Sequence, residues 1–249
     1  MLALTGKDIV VIGGSRGVGR RIVEEARGNG ARVLAVARQQ APLRQLQQAI
    51  AGVQILSLDA TDEDAPLKVF ETLEPSILAI CAGAFPPAAP FHEQSWHEFS
   101  VNWAVDVRIA FNFCKAAISR PLPAGTQIIL ISSGAALAGS PNSGGYAGAK
   151  RTQLFIANYA QKESDRLGLG LRFISLAPRI MPDTDLGKHA IAGYSRYLGI
   201  PAADVVRSMA SPPTSAHVAT AVIELATNIG RVEGNTFIVS GRGLEVVPQ

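Results

Sequence analysis

The stretch Asp8-Ile-Val-Val-Ile12, Gly13-Gly-Ser-Arg-Gly-Val-Gly19, Arg20-Arg-Ile-Val-Glu-Glu-Ala-Arg27 decides the fold. A β-branched run stops at a glycine-rich turn and gives way to residues of helical composition, so the order is strand, turn, helix. Glycines permit a tight turn and close backbone approach, and the start of the next helix offers free amides and a positive dipole end. That combination suits a bound phosphate. The glycines stand at 13, 17 and 19, a Gly-x-x-x-Gly-x-Gly spacing rather than G-x-G-x-x-G.

Asn29-Gly30 ends the helix, and the apolar run Ala31 to Ala37 closes a βαβ unit. Where such a unit binds a dinucleotide, an acid after the second strand takes the ribose 2′-hydroxyl and an arginine accommodates a 2′-phosphate. No acid stands between Val36 and Gln40. Arg38, with Arg16 and Ser15 from the turn, forms a candidate 2′-phosphate clamp, because guanidinium groups bind phosphate through parallel hydrogen bonds. NADP(H) is therefore the expected cofactor; solvated surface arginines are the other reading.

The rest of the chain repeats the alternation. A helix around Pro42 to Ala51 precedes a strand Val53 to Leu58 that ends at Asp59, which either contacts an adenine amino group or caps a turn. Thr61-Asp-Glu-Asp64 reads as the acid-rich first turn of the next helix. Ser76 to Ile80 is the fourth strand, ending in Cys81-Ala82-Gly83, small enough to let a cofactor lie close. Phe85 to Phe91 is a stiff apolar connector. Ser95-Trp-His-Glu98 has the form of a capping box, which predicts one long helix over 96–118 carrying Asn102. Leu154 to Ala157 is apolar on nearly every face and suggests burial against a second subunit. Leu171 to Leu176 is the sixth strand. From Ile180 to Pro213, prolines and glycines interrupt short helical pieces, which reads as a lid over a partly apolar substrate. A helix over 215–227 and a strand over 235–239 end the pattern, giving seven strands and six helices in one α/β domain spanning 1–249. Such alternation predicts a parallel doubly wound sheet with helices on both faces and a ligand beyond the carboxyl ends of its strands.

The chemistry converges on Ser132 to Lys150. The run Thr126 to Ser132 reads as a buried strand ending in hydroxyls, with Ser133 next. If Tyr146 opens a helix, Lys150 lies one turn on along the same face. A free tyrosine ionises near pH ~10, and a neighbouring cation favours the phenolate, so the pair is a candidate general acid or base.

Composition narrows the class. Hydrophobic residues make up 47% and charged residues 17%, as in a chain with a large core. No apolar stretch approaches the ~20 residues of a bilayer span and the N-terminus lacks the order of a signal peptide, so a cytoplasmic, membrane-free protein is expected. Cys81, Cys114 and four scattered histidines offer no metal spacing. The net charge of +3 is spread along the chain, so a nucleic-acid partner is not expected.

Taken together, the glycine turn, Asp59, Cys81-Ala-Gly83, Asn102, Ser133, Tyr146 and Lys150 resemble the short-chain dehydrogenase/reductase family over essentially the whole chain; Ser133 precedes Tyr146 by 146 − 133 = 13 residues, the family's spacing. The resemblance implies a Rossmann-type fold and hydride transfer between NADP(H) and a small carbonyl or alcohol substrate. It implies that Tyr146 exchanges the proton, Lys150 lowers its pKa and bonds the nicotinamide ribose, Ser133 holds the substrate carbonyl and Asn102 fixes a water. It implies a cofactor set of Gly13, Ser15, Arg16, Gly17, Gly19, Arg38, Asp59 and Gly83 together with Tyr146 and Lys150, and a dimer or tetramer formed through the helices of Asn102 and Tyr146. Four positions depart from the family pattern. Ile12 and Cys81 replace a threonine and an asparagine that bond the central strands. Arg179 replaces a glycine, and it reshapes the pocket, attracts an acidic substrate or points to solvent. Ser240-Gly241-Arg242 replaces an acidic-Gly-Gly ending. Two other functions compete with a simple carbonyl reductase: an NADP(H)-binding sensor without turnover, and a reductase of acyl-thioester-linked 3-keto substrates.

Overall fold

The structure is a computed structural model that describes residues 3–227 and 234–247. Strand β1 (Asp8–Ile12) alternates its side chains, Ile9 and Val11 toward one hydrophobic cluster and Val10 and Ile12 toward another. That alternation is the period of a strand buried on both faces. Helices α1 (Gly17–Gly28), α2 (Gln40–Ala49) and α10 (Ser215–Thr227) cover the first face through Ile22, Leu43, Leu46, Val218 and Val222. Helices α3 (Ala65–Thr72), α5 (Arg108–Ser119) and α7 (Gly144–Leu167) cover the second through Val69, Phe113 and Ala157.

With β2 (Arg32–Ala37), β3 (Val53–Ser57), β4 (Ile77–Ile80), β5 (Gln127–Ile131), β6 (Arg172–Pro178), β7 (Thr236–Ser240) and β8 (Gly243–Val246), the sheet runs β3-β2-β1-β4-β5-β6-β7-β8. The order reverses between β1 and β4, which opens a crevice at their carboxyl ends. The doubly wound α/β expectation is met, with one correction: the sheet has eight strands, and β8 pairs antiparallel with β7. Gly241 and Arg242 form the two-residue turn between them, so the unusual ending is a hairpin.

Three expected boundaries also move. Helix α3 starts at Ala65 rather than at Thr61, because Asp59 turns the chain by accepting from Thr61, and Pro66, which lacks an amide hydrogen, belongs in the first helical turn. The long helix does start at its capping box, with α4 over Trp96–Asn102, but a π-helical turn (Trp103–Val107) separates it from α5. The stretch over 180–213 contains α8 (Asp185–Leu198) and α9 (Ala202–Ser208). Gly187 and Gly193 lie inside α8 instead of breaking it. A Cβ at Gly187 would stand 2.6 Å from the Met181 carbonyl carbon, and one at Gly193 would stand 2.8 Å from Ala88 Cβ, so these glycines serve close packing. A short α6 (Ala135–Ala138) completes the helices described. Among the described residues, no helix is long and apolar enough to cross a membrane.

Candidate active site

The turn after β1 is built against the end of β4. Gly13 has φ +86°, a backbone that L side chains rarely adopt, and a Cβ there would stand 2.7 Å from Ala82 N. Gly19, in the first turn of α1, faces the Gly13 carbonyl, whose carbon a Cβ would approach to 2.9 Å. The backbone therefore forms a cradle with no side chain in it, at the positive end of α1. A dinucleotide phosphate fits that arrangement. Ser15, Arg16, Gly17, Arg38, Asp59 and Gly83 join Gly13 and Gly19 around one cavity of about 720 Å³, which also reaches Ser133, Tyr146 and Lys150. A cavity of this size lies in the range of small-molecule sites.

Asp59 has a turn role: its Oδ1 accepts from Thr61 N at 2.9 Å and Thr61 Oγ1 at 2.8 Å. The Thr61 amide first, then its hydroxyl and the charges of Arg38 and Arg108, hold the carboxyl below the usual carboxylate range against the effect of burial. Ser132 and Ser133 have separate positions. Ser132 Oγ donates to the Lys150 carbonyl at 2.9 Å, tying β5 to α7, whereas Ser133 lines the cleft and accepts from Ala135 N at 3.2 Å.

Helix α7 packs α4 closely at its start, where a Cβ on Gly145 would stand 2.7 Å from the Phe99 carbonyl carbon. Tyr146 and Lys150 follow on one face, with Lys150 Nζ 5.7 Å from the centre of the Tyr146 ring. Lys150 is buried, and three oxygens surround its ammonium: Ile131 O at 3.1 Å, Gln153 Oε1 at 3.2 Å and Asp106 Oδ2 at 3.1 Å. Burial, the largest single influence, would push its pKa down, but the Asp106 charge and then the Tyr146 hydroxyl reverse that and hold it above the ordinary lysine value.

Asn102 lies behind the cleft rather than on its wall. It is fully buried, and its Nδ2 donates to Ala84 O at 2.9 Å and Asp106 Oδ1 at 3.2 Å. Its Oδ1 is a buried acceptor with no hydrogen-bond partner among the described residues. Asp106 and Gln153 were not expected from the sequence. The signals were present but faint: an acid four residues after Asn102 in an apolar helical run, and an amide three residues after Lys150.

The far end of the cleft is walled by Phe85, Leu137, Ile180, Met181, Leu186 and Met209. Tyr194 from α8 shares a 2.8 Å hydrogen bond with Ser140, which is joined to Ser143 at 2.8 Å. Arg179 lines this end and is exposed, with Nη1 3.4 Å from Ala210 O.

Known proteins resemble this chain in sequence. The short chain dehydrogenase family model matches residues 7–194. L-xylulose reductase of Bos taurus is 29% identical over 153 residues, which is 60% of this chain and 62% of that protein. The Homo sapiens L-xylulose reductase is 31% identical over 107 residues, 43% of this chain and 44% of that protein. L-fucose dehydrogenase of Mus musculus is 30% identical over 176 residues, 69% and 64% of the two chains. The matches thus span about half to two thirds of these relatives. With a glycine turn at the sheet's switch point, Tyr146 and Lys150 one helical turn apart beside it and three quarters of the length matched by one model, the chain belongs to the short chain dehydrogenase family, oxidoreductases that act on CH–OH and C=O groups.

Proposed function

We propose that the chain is an NADP(H)-dependent reductase of ketones or aldehydes, running in reverse as an alcohol dehydrogenase. It would act as one NADP(H)-binding unit over 1–249, with 180–213 as the lid. The carrying observation is that Arg16 and Arg38, the glycine cradle, Ser133, Tyr146 and Lys150 all border one cavity. When bound, the nicotinamide supplies or accepts the hydride. The remaining work falls to the chain. Arg16, Arg38 and Ser15 would hold a 2′-phosphate, Asp59 would stand beside the adenine, and Gly83 would leave room for the ribose. Ser133 would orient the substrate oxygen, and Tyr146 would give it the proton. The unpaired Asn102 Oδ1 would accept from a bridging water behind Lys150.

The walls at the substrate end favour a carbonyl compound with an apolar body over a polyol. Phe111 of α5 and Phe155 and Tyr159 of α7 are exposed large side chains on the two helices that cover one face of the sheet, which supports assembly of two or four copies through those helices. Two free thiols, Cys81 and Cys114, accord with a reducing cytoplasm.

The test is loss of NADPH absorbance with a panel of ketones, aldehydes, sugars, keto-acids and 3-keto acyl-thioesters, run beside NADH. Tyr146→Phe should lose roughly 10²- to 10⁴-fold in turnover, the share that a positioned proton donor supplies. Arg38→Ala should weaken NADPH about tenfold or more and leave NADH nearly unchanged. Turnover that survives in Tyr146→Phe would refute the proton donor. Tight NADPH binding without turnover on any substrate would favour the sensor.

A further inference from the structure

The residue that the family comparison leaves unexplained is Asp106. Its carboxylate is 1% exposed, in the π-helical turn between α4 and α5, and it faces the cofactor side of the cleft from behind Gly83. The fit is close, since a Cβ on Gly83 would stand 2.6 Å from Oδ2. Asp106 Oδ1 accepts from Ala84 N at 2.8 Å and from Asn102 Nδ2 at 3.2 Å, while Oδ2 forms the 3.1 Å ion pair with Lys150. Gln153 ties the two ends together, accepting from Lys150 at 3.2 Å and donating to the Asp106 backbone carbonyl at 3.1 Å. The charged and titratable groups around this pair are Tyr146 on α7, Cys81 at the end of β4, and Arg179 and Asp185 on the lid side of the same cleft.

Removing one partner of a buried ion pair leaves the other charge stranded, so Asp106 and Lys150 each depend on the other to stay charged where they are. A buried ammonium gives up its proton more readily than a solvated one, and a carboxylate 3.1 Å from that ammonium opposes the loss. We propose that Asp106 is a positioning residue: its carboxylate fixes the Lys150 side chain and holds its proton in the buried seat, so that Tyr146 keeps a charged neighbour to higher pH than it would beside an unpaired lysine. This deepens the reductase reading and rests on it for the identity of the proton's destination.

The test is the pH at which Lys150 loses its proton. A chemical-shift titration of the full chain carrying carbon-13 at its lysine Cε atoms, read against its Lys150→Arg form, reports it without any turnover. Asp106→Asn, nearly isosteric, should move that midpoint to lower pH by about one unit, as expected for removing one nearby charge. The alkaline limb of carbonyl reduction should move with it. Loss of packing alone would lower the rate at every pH and leave the limb in place. A midpoint that stays, or moves to higher pH, overturns the proposal. If Asp106→Asn fails to fold, Gln153→Glu sets a second carboxylate on the same ammonium and should shift the midpoint to higher pH; no shift there also overturns it. A shifted midpoint in a chain that reduces none of the carbonyl panel supports the charge role and sinks the reductase reading, so the two fail separately.

Discussion

Replacing Gly19 with alanine should damage both stability and cofactor binding, and Gly28 in the same helix provides the control. At position 19 the backbone φ is ordinary, so the obstacle is contact alone: the new methyl would meet the Gly13 carbonyl, standing 2.9 Å from its carbon and 3.2 Å from Gly14 Cα. Both neighbours are backbone, which cannot rotate away. Forcing a methyl into such a place costs typically ~1–3 kcal/mol. For a chain of this size each kcal/mol moves the melting temperature by about 2–4 °C, so Gly19→Ala should melt roughly 2–12 °C lower. At Gly28 a Cβ would meet nothing within 4 Å, and alanine in a helix is better than glycine by about 0.5–1 kcal/mol. Gly28→Ala should therefore melt slightly higher than the parent. The methyl at 19 also displaces the Gly13-Gly14 turn that forms the phosphate cradle, so NADPH affinity, read by fluorescence titration, should fall at least about tenfold, the affinity equivalent of ~1.4 kcal/mol. Gly28→Ala should bind as the parent does. Equal melting and equal affinity in the two variants would refute the assignment of Gly19 as a contact glycine.

Two further outcomes follow from burial and exposure. Desolvation pushes the Cys81 and Cys114 thiols up to about 12, with Lys150 pulling Cys81 only partly back. At neutral pH iodoacetamide should label neither in the folded chain and both after denaturation; and because an unfolded thiol ionises near ~8.5, stability should hold below that pH and decline between it and about 12. Cys81 is only half-buried and lines the cleft, so its labelling in the folded chain at neutral pH would show thiolate character that desolvation does not allow. Phe155→Lys combined with Tyr159→Lys should shift sedimentation from dimer or tetramer to monomer, since both rings are exposed on α7; an unchanged assembly would place the interface elsewhere.

What the sequence disclosed was local. The order Asp8 to Arg27 needed only a change of periodicity around three glycines, and Ser95 with Glu98 marked the start of α4 because both hydrogen bonds of a capping box close within four residues. Tyr146 and Lys150 were readable together because a helix brings such positions side by side. What escaped depends on partners distant in the chain. Asp106 reads as any acid in a helix, because its partner Lys150 stands 150 − 106 = 44 residues later and meets it only in the fold. The π-helical turn that carries Asp106 has no signature in composition. Gly187 and Gly193 read as helix breakers because sequence cannot separate a glycine needed for backbone freedom from one needed for close approach, and only the neighbours Met181 and Ala88 decide it. Strand β8 is four residues at the sheet edge, too short to alternate clearly, and its antiparallel direction follows from a two-residue turn.

The seating of Gly13 on Ala82 also sets an order of events as the chain leaves the ribosome. Ala82 is made 82 − 13 = 69 residues after Gly13, and β1 can pair with β2 before β4 exists to take its other side. At a synthesis rate of about 5–20 residues per second, the wait is roughly 3–14 s. During it one edge of β1 is unpaired and apolar at Val10 and Val11, an edge of the kind that recruits other strands. The glycine turn thus forms late although it is made early, and a nascent chain that stalls before Ile80 presents a sticky half-sheet.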